Sequence, residues 1–293
     1  MREIKSVLVT GGAGFFGRAF ARYVLKNDMV ERLAIFSRSE HSQAEMRTQI
    51  GNDPRARFFL GCVRDLPRLE RAMQGVDLVV HAAALKRIES GRYDCQELTL
   101  TNVVGTINVI EAARRAGVAK IVGLSTDKAY MPQPGGAYGQ SKALMETLIL
   151  CANESGGGRP PMTAVCRYGN IAFSTGSVIP KWIARIRAGA PTVPVTSLDA
   201  TRFWMHIDDA VQLVVATAAH MQGTGEIAIP ELPAYRVGDL VDAMGVHPDV
   251  IGLPSFEKLH ESMGPGNSSN LAPRLSVEFL RDAIYRETGY RAS

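Results

Sequence analysis

Short, wholly apolar runs recur along this chain between segments of helix length, and that alternation constrains the fold more than any other feature. Ser6–Thr10, Arg32–Phe36, Arg57–Leu60, Leu78–His81, Lys120–Ser125 and Thr163–Arg167 read as strands. Phe15–Leu25, Gln43–Ile50, Leu66–Met73, Leu98–Ala116 and Tyr138–Cys151 carry helical spacing between them. Strands that are apolar on both faces must be covered on both, so the pattern predicts an α/β fold, a doubly wound parallel sheet with crossover helices. Ligands of such sheets sit beyond the carboxyl ends of the strands. After Arg167 the pattern loosens. Helices are expected at Val178–Ala188, Asp208–Met221, Val237–Met244 and Val277–Ile284, with strands at Glu226–Ile229 and near Val250. We expect a nucleotide-binding sheet domain of residues 1–171 plus 205–230. A smaller substrate lobe would be built from 172–204 plus 231–293.

Composition removes several classes of function. A length of 293 residues suits one large α/β unit or two fused lobes. The most apolar stretch, Ala210 to Ala219, is interrupted by Gln212 and is too short for a membrane span. Met1-Arg2-Glu3-Ile4-Lys5 leads straight into the first strand with no signal-peptide pattern, and Cys62, Cys95, Cys151 and Cys166 have no metal-type spacing. The expectation is a cytoplasmic protein with reduced thiols, no metal and no membrane partner. The net charge is only +4, and no basic run argues for nucleic acid. Gly156-Gly157-Gly158-Arg159-Pro160-Pro161 reads as a surface loop.

The turn after the first strand is rich in glycine: Thr10-Gly11-Gly12-Ala13-Gly14-Phe15-Phe16-Gly17. Glycines there let the backbone turn sharply and approach a pyrophosphate, whose charge then lies on free N–H groups at a helix N-terminus. A dinucleotide with a bare ribose usually meets an acid about 20 residues further on. Here the second strand ends Phe36-Ser37-Arg38-Ser39, a hydroxyl and a guanidinium suited to a 2′-phosphate, so NADP is favoured over NAD.

Tyr138 and Lys142 stand four apart where a helical pattern begins, and so share one face. An ammonium beside a phenol stabilises the tyrosinate. The pair follows the strand ending Ser125-Thr126-Asp127-Lys128, at the edge where a parallel sheet carries its chemistry. Taken alone, Asp127-Lys128 would be read as a solvated loop pair. His81 and His206 read as locally hydrogen-bonded side chains.

These motifs resemble the extended short-chain dehydrogenase/reductases of the Rossmann type, and within them the UDP-N-acetylglucosamine 4,6-dehydratases that invert carbon 5. The resemblance runs through TGGAGFFG, SRSE, HAAALK (His81–Lys86), TNVVGT (Thr101–Thr106), STDKA (Ser125–Ala129), YGQSK, RYGN (Arg167–Asn170), GSVIP (Gly176–Pro180), TRFWM (Thr201–Met205) and EKLHE (Glu257–Glu261). It implies an NADP-dependent hydro-lyase acting on a nucleotide sugar. Tyr138 would take the proton of the 4-hydroxyl as hydride leaves carbon 4, with Lys142 on the nicotinamide ribose and Thr126 bonded to the reacting oxygen. Lys128, if neutral, would take the proton on carbon 5, and Asp127, if protonated, would help the 6-hydroxyl leave; hydride would return to carbon 6. Such a pair is expected to be buried and coupled. The cofactor would lie on Gly11, Ala13, Gly14, Phe15, Phe16, Gly17, Ser37, Arg38, Cys62, Val63, Ala82, Ala83, Ala84, Tyr138 and Lys142. The substrate would lie on Lys86, Asn170, Ser177, Val178, Arg202 and Lys258. The resemblance also implies a homo-oligomer through paired helices, the Tyr138–Cys151 helix among them.

Three departures touch the cofactor and nucleotide ends. Cys62 stands where the family's third-strand motif carries an acid for adenine. Ser174-Thr175-Gly176 and Pro254-Ser255-Phe256 each lack an arginine usual near the substrate. The substrate could accordingly be a different nucleotide sugar. Two alternatives stay open: a nucleotide-sugar 4-epimerase or other oxidoreductase on the same fold, and a non-catalytic protein that senses NADP.

Overall fold

A computed structural model of the protein describes residues 4–86, 93–155, 157, 161–223 and 225–292. Met1–Glu3 and most of the glycine–proline stretch at 156–161 lie outside them. The described chain divides into two compact units, taken here in turn, with elements numbered in chain order.

The first unit comprises Met1–Ser125, Ala137–Arg167 and Ile207–Ile229. Its strands are β1 (Ser6–Thr10), β2 (Arg32–Ser37), β3 (Ala56–Leu60), β4 (Leu78–His81), β5 (Lys120–Leu124), β6 (Met162–Cys166) and β9 (Glu226–Ala228). They form one sheet in the order β3-β2-β1-β4-β5-β6-β9, every pair parallel. The doubly wound sheet expected from the alternation is therefore present. Its strand order reverses between β1 and β4, the topological switch point where such sheets bind ligands. The crossover helices are α1 (Phe15–Lys26), α2 (Glu40–Gln49), α3 (Leu66–Ala72), α4 (Cys95–Leu98), α5 (Gly105–Ala116), α6 (Ala137–Ser155) and α8 (Ile207–His220). Leu8, Val79, Ile121 and Val165 of the sheet are buried in one cluster with Val109 and Ala113 of α5 and Met145 and Ile149 of α6.

Two local differences from expectation have physical causes. Helix α2 starts at Glu40 rather than Gln43, because the Ser39 hydroxyl accepts a hydrogen bond from the Ser42 amide and caps the helix early. The single helix expected over Leu98–Ala116 is instead α4, a π-helical stretch at Thr99–Val104, and α5. Such widened turns collect at functional sites, and this one carries Asn102.

The second unit comprises Thr126–Gly136, Tyr168–His206 and Pro230–Ser293. Residues 126–136 thus cluster with this unit, although the sequence division put them in the first. Its strands are short: β7 (Val193–Val195) pairs parallel with β11 (Pro248–Val250), β8 (Thr201–Phe203) antiparallel with β10 (Ala234–Arg236), and β12 (Ser262–Gly264) antiparallel with β13 (Asn267–Ser268). Helices α7 (Val178–Arg187), α9 (Val237–Met244) and α10 (Val277–Thr288) close a core of Ile179, Trp182, Leu240, Leu280 and Ile284 around Trp204. The Trp204 ring meets Phe173, Tyr235 and Phe279 edge-on, at centroid distances of 5.6, 5.8 and 6.2 Å. Edge-to-face contacts of this kind add to the burial of the rings. Among the described residues, no helix is long and apolar enough to cross a membrane.

Gly123 decides how closely α6 lies on the sheet: a Cβ added there would stand 2.2 Å from Ile149 Cδ1. Gly123→Val is expected to overpack this layer and destabilise the protein by about 1–3 kcal/mol. Urea denaturation checks this through the transition midpoint.

Candidate active site

In the first unit the expected cofactor residues gather at the carboxyl ends of the strands. Gly11, in the left-handed region at φ 66°, opens the turn between β1 and α1. A Cβ at Gly11 would fall 2.9 Å from the backbone of Ala83, so the turn and the loop after β4 touch only because this residue has no side chain. Gly14 enters α1 in extended conformation, no side chain caps the helix, and no acid occupies its first turn. The N–H groups of Phe15, Phe16 and Gly17 are thus free of a side-chain cap, a cradle that fits a pyrophosphate. Ser37 and Arg38 stand at the end of β2. The Ser37 hydroxyl accepts a bond from Gln43 Nε2 at 3.0 Å, whereas Arg38 is exposed and its guanidinium has no partner among the described residues. Cys62, half-buried with a free thiol, and buried Val63 follow β3. Ala82, Ala83 and Ala84 follow β4, and the loop continues to exposed Lys86.

His81, the last residue of β4, ties this end of the sheet together. Its Nδ1 lies 2.8 Å from Thr10 Oγ1 and its Nε2 lies 3.0 Å from Thr106 Oγ1. Thr106 Oγ1 donates to the Asn102 carbonyl at 2.6 Å, so it must accept from His81 Nε2–H, and Nδ1 accepts from Thr10. The ring is neutral: burial first, and then the Lys142 charge, push its pKa down to about 3. His81 is therefore structural.

Tyr138 and Lys142 occupy the first turns of α6. The Lys142 ammonium is buried, 2.5 Å from the Leu124 carbonyl at the end of β5. Burial brings its pKa down to about 7, and Glu146 one turn along only partly opposes this. Glu146 is already committed, since Arg167 grips both of its carboxylate oxygens, at 2.9 and 2.5 Å. Sequence reasoning gave Asn102 no role. Its side chain accepts from the Leu85 amide at 2.8 Å and donates to the Leu85 carbonyl and Ser141 Oγ, each at 3.0 Å. Ser141 Oγ in turn donates to the Tyr138 carbonyl at 2.8 Å. One amide thus locks the Ala82–Lys86 loop to the turn that carries Tyr138; the only sequence signal was an asparagine within the TNVVGT motif.

In the second unit Asp127 is buried and Lys128 half-buried, so the pair is not an open loop contact. Thr126 caps a single 3₁₀ turn at Asp127–Ala129, its hydroxyl donating to Asp127 Oδ1 at 2.9 Å. Asp127 is 0% exposed, and its Oδ1 lies 3.2 Å from Lys128 Nζ, while Oδ2 is buried without a hydrogen bond. Glu261, which the sequence offered only as the last letter of EKLHE, places Oε1 3.0 Å from the same Nζ. Burial pushes the Asp127 pKa up; Lys128 opposes this and Glu261 adds to it. Lys128 differs from expectation. Burial disfavours its charge, but Asp127 and Glu261 together outweigh burial and raise its pKa, so it rests as an ammonium and not as a neutral amine. Asn170 shares a hydrogen bond with the buried Tyr235 hydroxyl. Ser177 heads α7 with a buried hydroxyl that has no hydrogen-bond partner among the described residues, followed by Val178. The Arg202 guanidinium donates to the carbonyls of Thr201 and Leu259, at 2.8 and 3.1 Å, and lies 3.5 Å from Glu257. Lys258 Nζ donates to the Tyr130 carbonyl at 2.5 Å. Among the described residues, no group of side chains is arranged to hold a metal.

The depressed pKa of Lys142 has a consequence for stability. Between about pH 7 and its ordinary value, the unfolded chain holds a proton on Lys142 that the folded chain does not, so this residue makes stability rise with pH across that window. Lys142→Met is expected to remove that part of the slope, as read by urea denaturation from pH 7 to 9.5.

Comparison with known proteins agrees with this arrangement. The polysaccharide biosynthesis protein family matches residues 7–276. A UDP-N-acetylglucosamine 4,6-dehydratase (inverting) from Campylobacter jejuni is 39% identical over 269 residues, covering 91% of this chain and 79% of the relative. A UDP-glucose 4-epimerase from Rickettsia akari is 39% identical over 243 residues, 82% of this chain and 70% of the relative. Among solved structures, Pen from Bacillus thuringiensis superposes with a TM-score of 0.89 at 29% identity, covering 98% of both chains. DesIV, a dTDP-glucose 4,6-dehydratase from Streptomyces venezuelae with NAD and TYD bound, shares the fold at a TM-score of 0.82 and 24% identity, covering 97% of both chains. With its sheet, its glycine turn and its Tyr–Lys helix, the chain belongs to the polysaccharide biosynthesis protein family, within the extended short-chain dehydrogenase/reductases.

Proposed function

We propose that the protein is a nicotinamide-dependent nucleotide-sugar 4,6-dehydratase, a hydro-lyase for UDP-N-acetylglucosamine or a close relative. The observation that carries this reading is the buried amine–carboxyl contact of Lys128 and Asp127 at 3.2 Å. Removing water across carbons 5 and 6 needs a base and an acid side by side; inverting carbon 4 alone needs no such pair beyond the tyrosine.

When bound, the nicotinamide supplies the transient two-electron oxidation of carbon 4 that makes the proton on carbon 5 acidic. Tyr138 accepts the proton of the 4-hydroxyl, and Lys142 stabilises the tyrosinate state this requires. The resting ammonium of Lys128 need only pass one proton from Nζ to Asp127 Oδ1. That step breaks an N–H bond, forms an O–H bond and leaves the net charge unchanged. It yields the amine that takes the carbon 5 proton and the acid that protonates the departing 6-hydroxyl. Burial favours this neutral pair over the charged one. Thr126 donates to Asp127 in the resting chain, so its proposed bond to the reacting oxygen requires the hydroxyl to turn. Ser177, with its unsatisfied hydroxyl, and Asn170, Val178, Lys86, Arg202 and Lys258 are proposed to receive the nucleotide sugar. Arg202 and Lys258 do so as side chains already anchored on backbone carbonyls.

NADP is the proposed cofactor, because the Arg38 guanidinium just past β2 has no partner among the described residues and Phe36-Ser37-Arg38-Ser39 carries no carboxylate for a bare ribose. DesIV carries NAD, so the preference is open to direct test. Arg38→Ala is expected to weaken NADP at least tenfold in a fluorescence titration while leaving NAD within about twofold. Equal loss of both overturns the preference. The exposed side chains of Ile107 on α5 and Leu144 on α6 support the proposed homo-oligomer, and four free cysteines agree with a cytoplasmic setting.

Given UDP-N-acetylglucosamine in heavy water, the enzyme is expected to give a product lighter by one water and carrying deuterium at carbon 5. Tyr138→Phe should cut the rate about 10²–10⁴-fold, and Lys128→Met should abolish deuterium at carbon 5. A product of unchanged mass would instead favour an epimerase, the activity named for the Rickettsia akari relative.

A further inference from the structure

Glu261 is 2% exposed, far from Lys128 along the chain, and has no part in the chemistry described above. Its backbone is fixed at both ends: its amide donates to Ser269 Oγ at 2.9 Å and its carbonyl accepts from the Ser269 amide at 2.8 Å. Ser269 is itself fully buried and in hydrogen-bond contact with Thr201 Oγ1 at 2.6 Å. The carboxylate held this way sends Oε1 to Lys128 Nζ at 3.0 Å, a shorter contact than the 3.2 Å made by Asp127. Its other oxygen is buried without a hydrogen bond, with Lys258 Nζ 4.0 Å away.

We propose that Glu261 is a positioning residue for Lys128, fixing both where the amino group sits and whether that group carries a proton. The charged and titratable groups around Lys128 are Asp127 on its own turn, Glu261 before β12, Arg202 on β8, Lys258 beside Glu261 and the Tyr235 phenol on β10. The carboxylates draw the proton onto Lys128, and Arg202 pushes it off. With Glu261 present, Lys128 stands between two carboxylates and keeps its place when it yields a proton to Asp127. Without Glu261, only Asp127 would hold the ammonium against burial and Arg202. The role in dehydration rests on the function proposed above; the contact with Lys128 does not.

The test is a pH titration by NMR of protein labelled at lysine Cε and Nζ, with the Lys128 signal identified by its loss in Lys128→Arg. No substrate is needed, so the result stands whether or not the chain dehydrates a sugar. Lys128 is expected to stay an ammonium at pH 10.5, where an unperturbed lysine side chain is about half titrated. In Glu261→Gln its midpoint should fall by at least about one pH unit, a tenfold rise in free amine at a given pH, and Glu261→Asp should recover most of that loss. A wild-type Lys128 with a midpoint at or below about 10.4, the value of an unperturbed lysine, overturns the proposal without any variant. So does a midpoint unmoved in folded Glu261→Gln. Where water loss is measurable, Glu261→Gln should move both limbs of its pH profile to lower pH, since one negative charge leaves Lys128 and Asp127 together. A merely structural residue would scale the profile without moving it.

Discussion

An ammonium drawn largely out of water keeps its charge where fixed carboxylates replace its hydration shell, and one cluster in the second unit makes that replacement. Lys128 has Asp127 on one side and Glu261 on the other, and each carboxylate-bearing residue is held by a neighbouring hydroxyl. Thr126 fixes Asp127, and Ser269 fixes the backbone of Glu261. Removing one partner of a buried ion pair strands the other charge, typically at a cost of about 3–5 kcal/mol. The short strands β8, β10, β12 and β13 are therefore the frame that lets a charged cluster exist inside protein. Arg202 and Lys258, anchored on carbonyls, bring further positive charge to the two carboxylates and temper the field on Lys128.

The first unit treats its lysine in the opposite way. Lys142 is buried against a carbonyl and a thioether, with Glu146 one turn away already paired to Arg167. Nothing nearby compensates its charge fully, so the amine is poised near neutrality. Lysine, buried at position 142 and partly buried at 128, is thus given opposite proton affinities by the number of carboxylates left free to face it.

How much of this was legible in the sequence follows from how local each signal is. The parallel sheet was legible because β1, β4 and β5 are unbroken apolar runs, and the glycine turn because Gly11 answers a steric demand within its own loop. Tyr138 and Lys142 were legible because a helix brings positions four apart together. The resting charge of Lys128 was not, since it depends on Glu261, which only the fold brings near. Asn102 was hidden differently: ordinary helical spacing was assumed across Thr99–Val104, and a π-helical stretch changes which residues share a face. That residues 126–136 cluster with the second unit was not legible, because apolar patterning follows strands and carries no sign of where a following loop packs.

The widened stretch at Thr99–Val104 also bears on how this family can vary. An extra residue accommodated in a helix cannot be removed quietly. Deleting one there would regularise the coil and rotate the preceding turns by about 100° relative to α5. The amide that clasps Leu85 and Ser141 would then swing away from both. A substitution that keeps the segment's length leaves this clasp in place, whereas a one-residue deletion opens it.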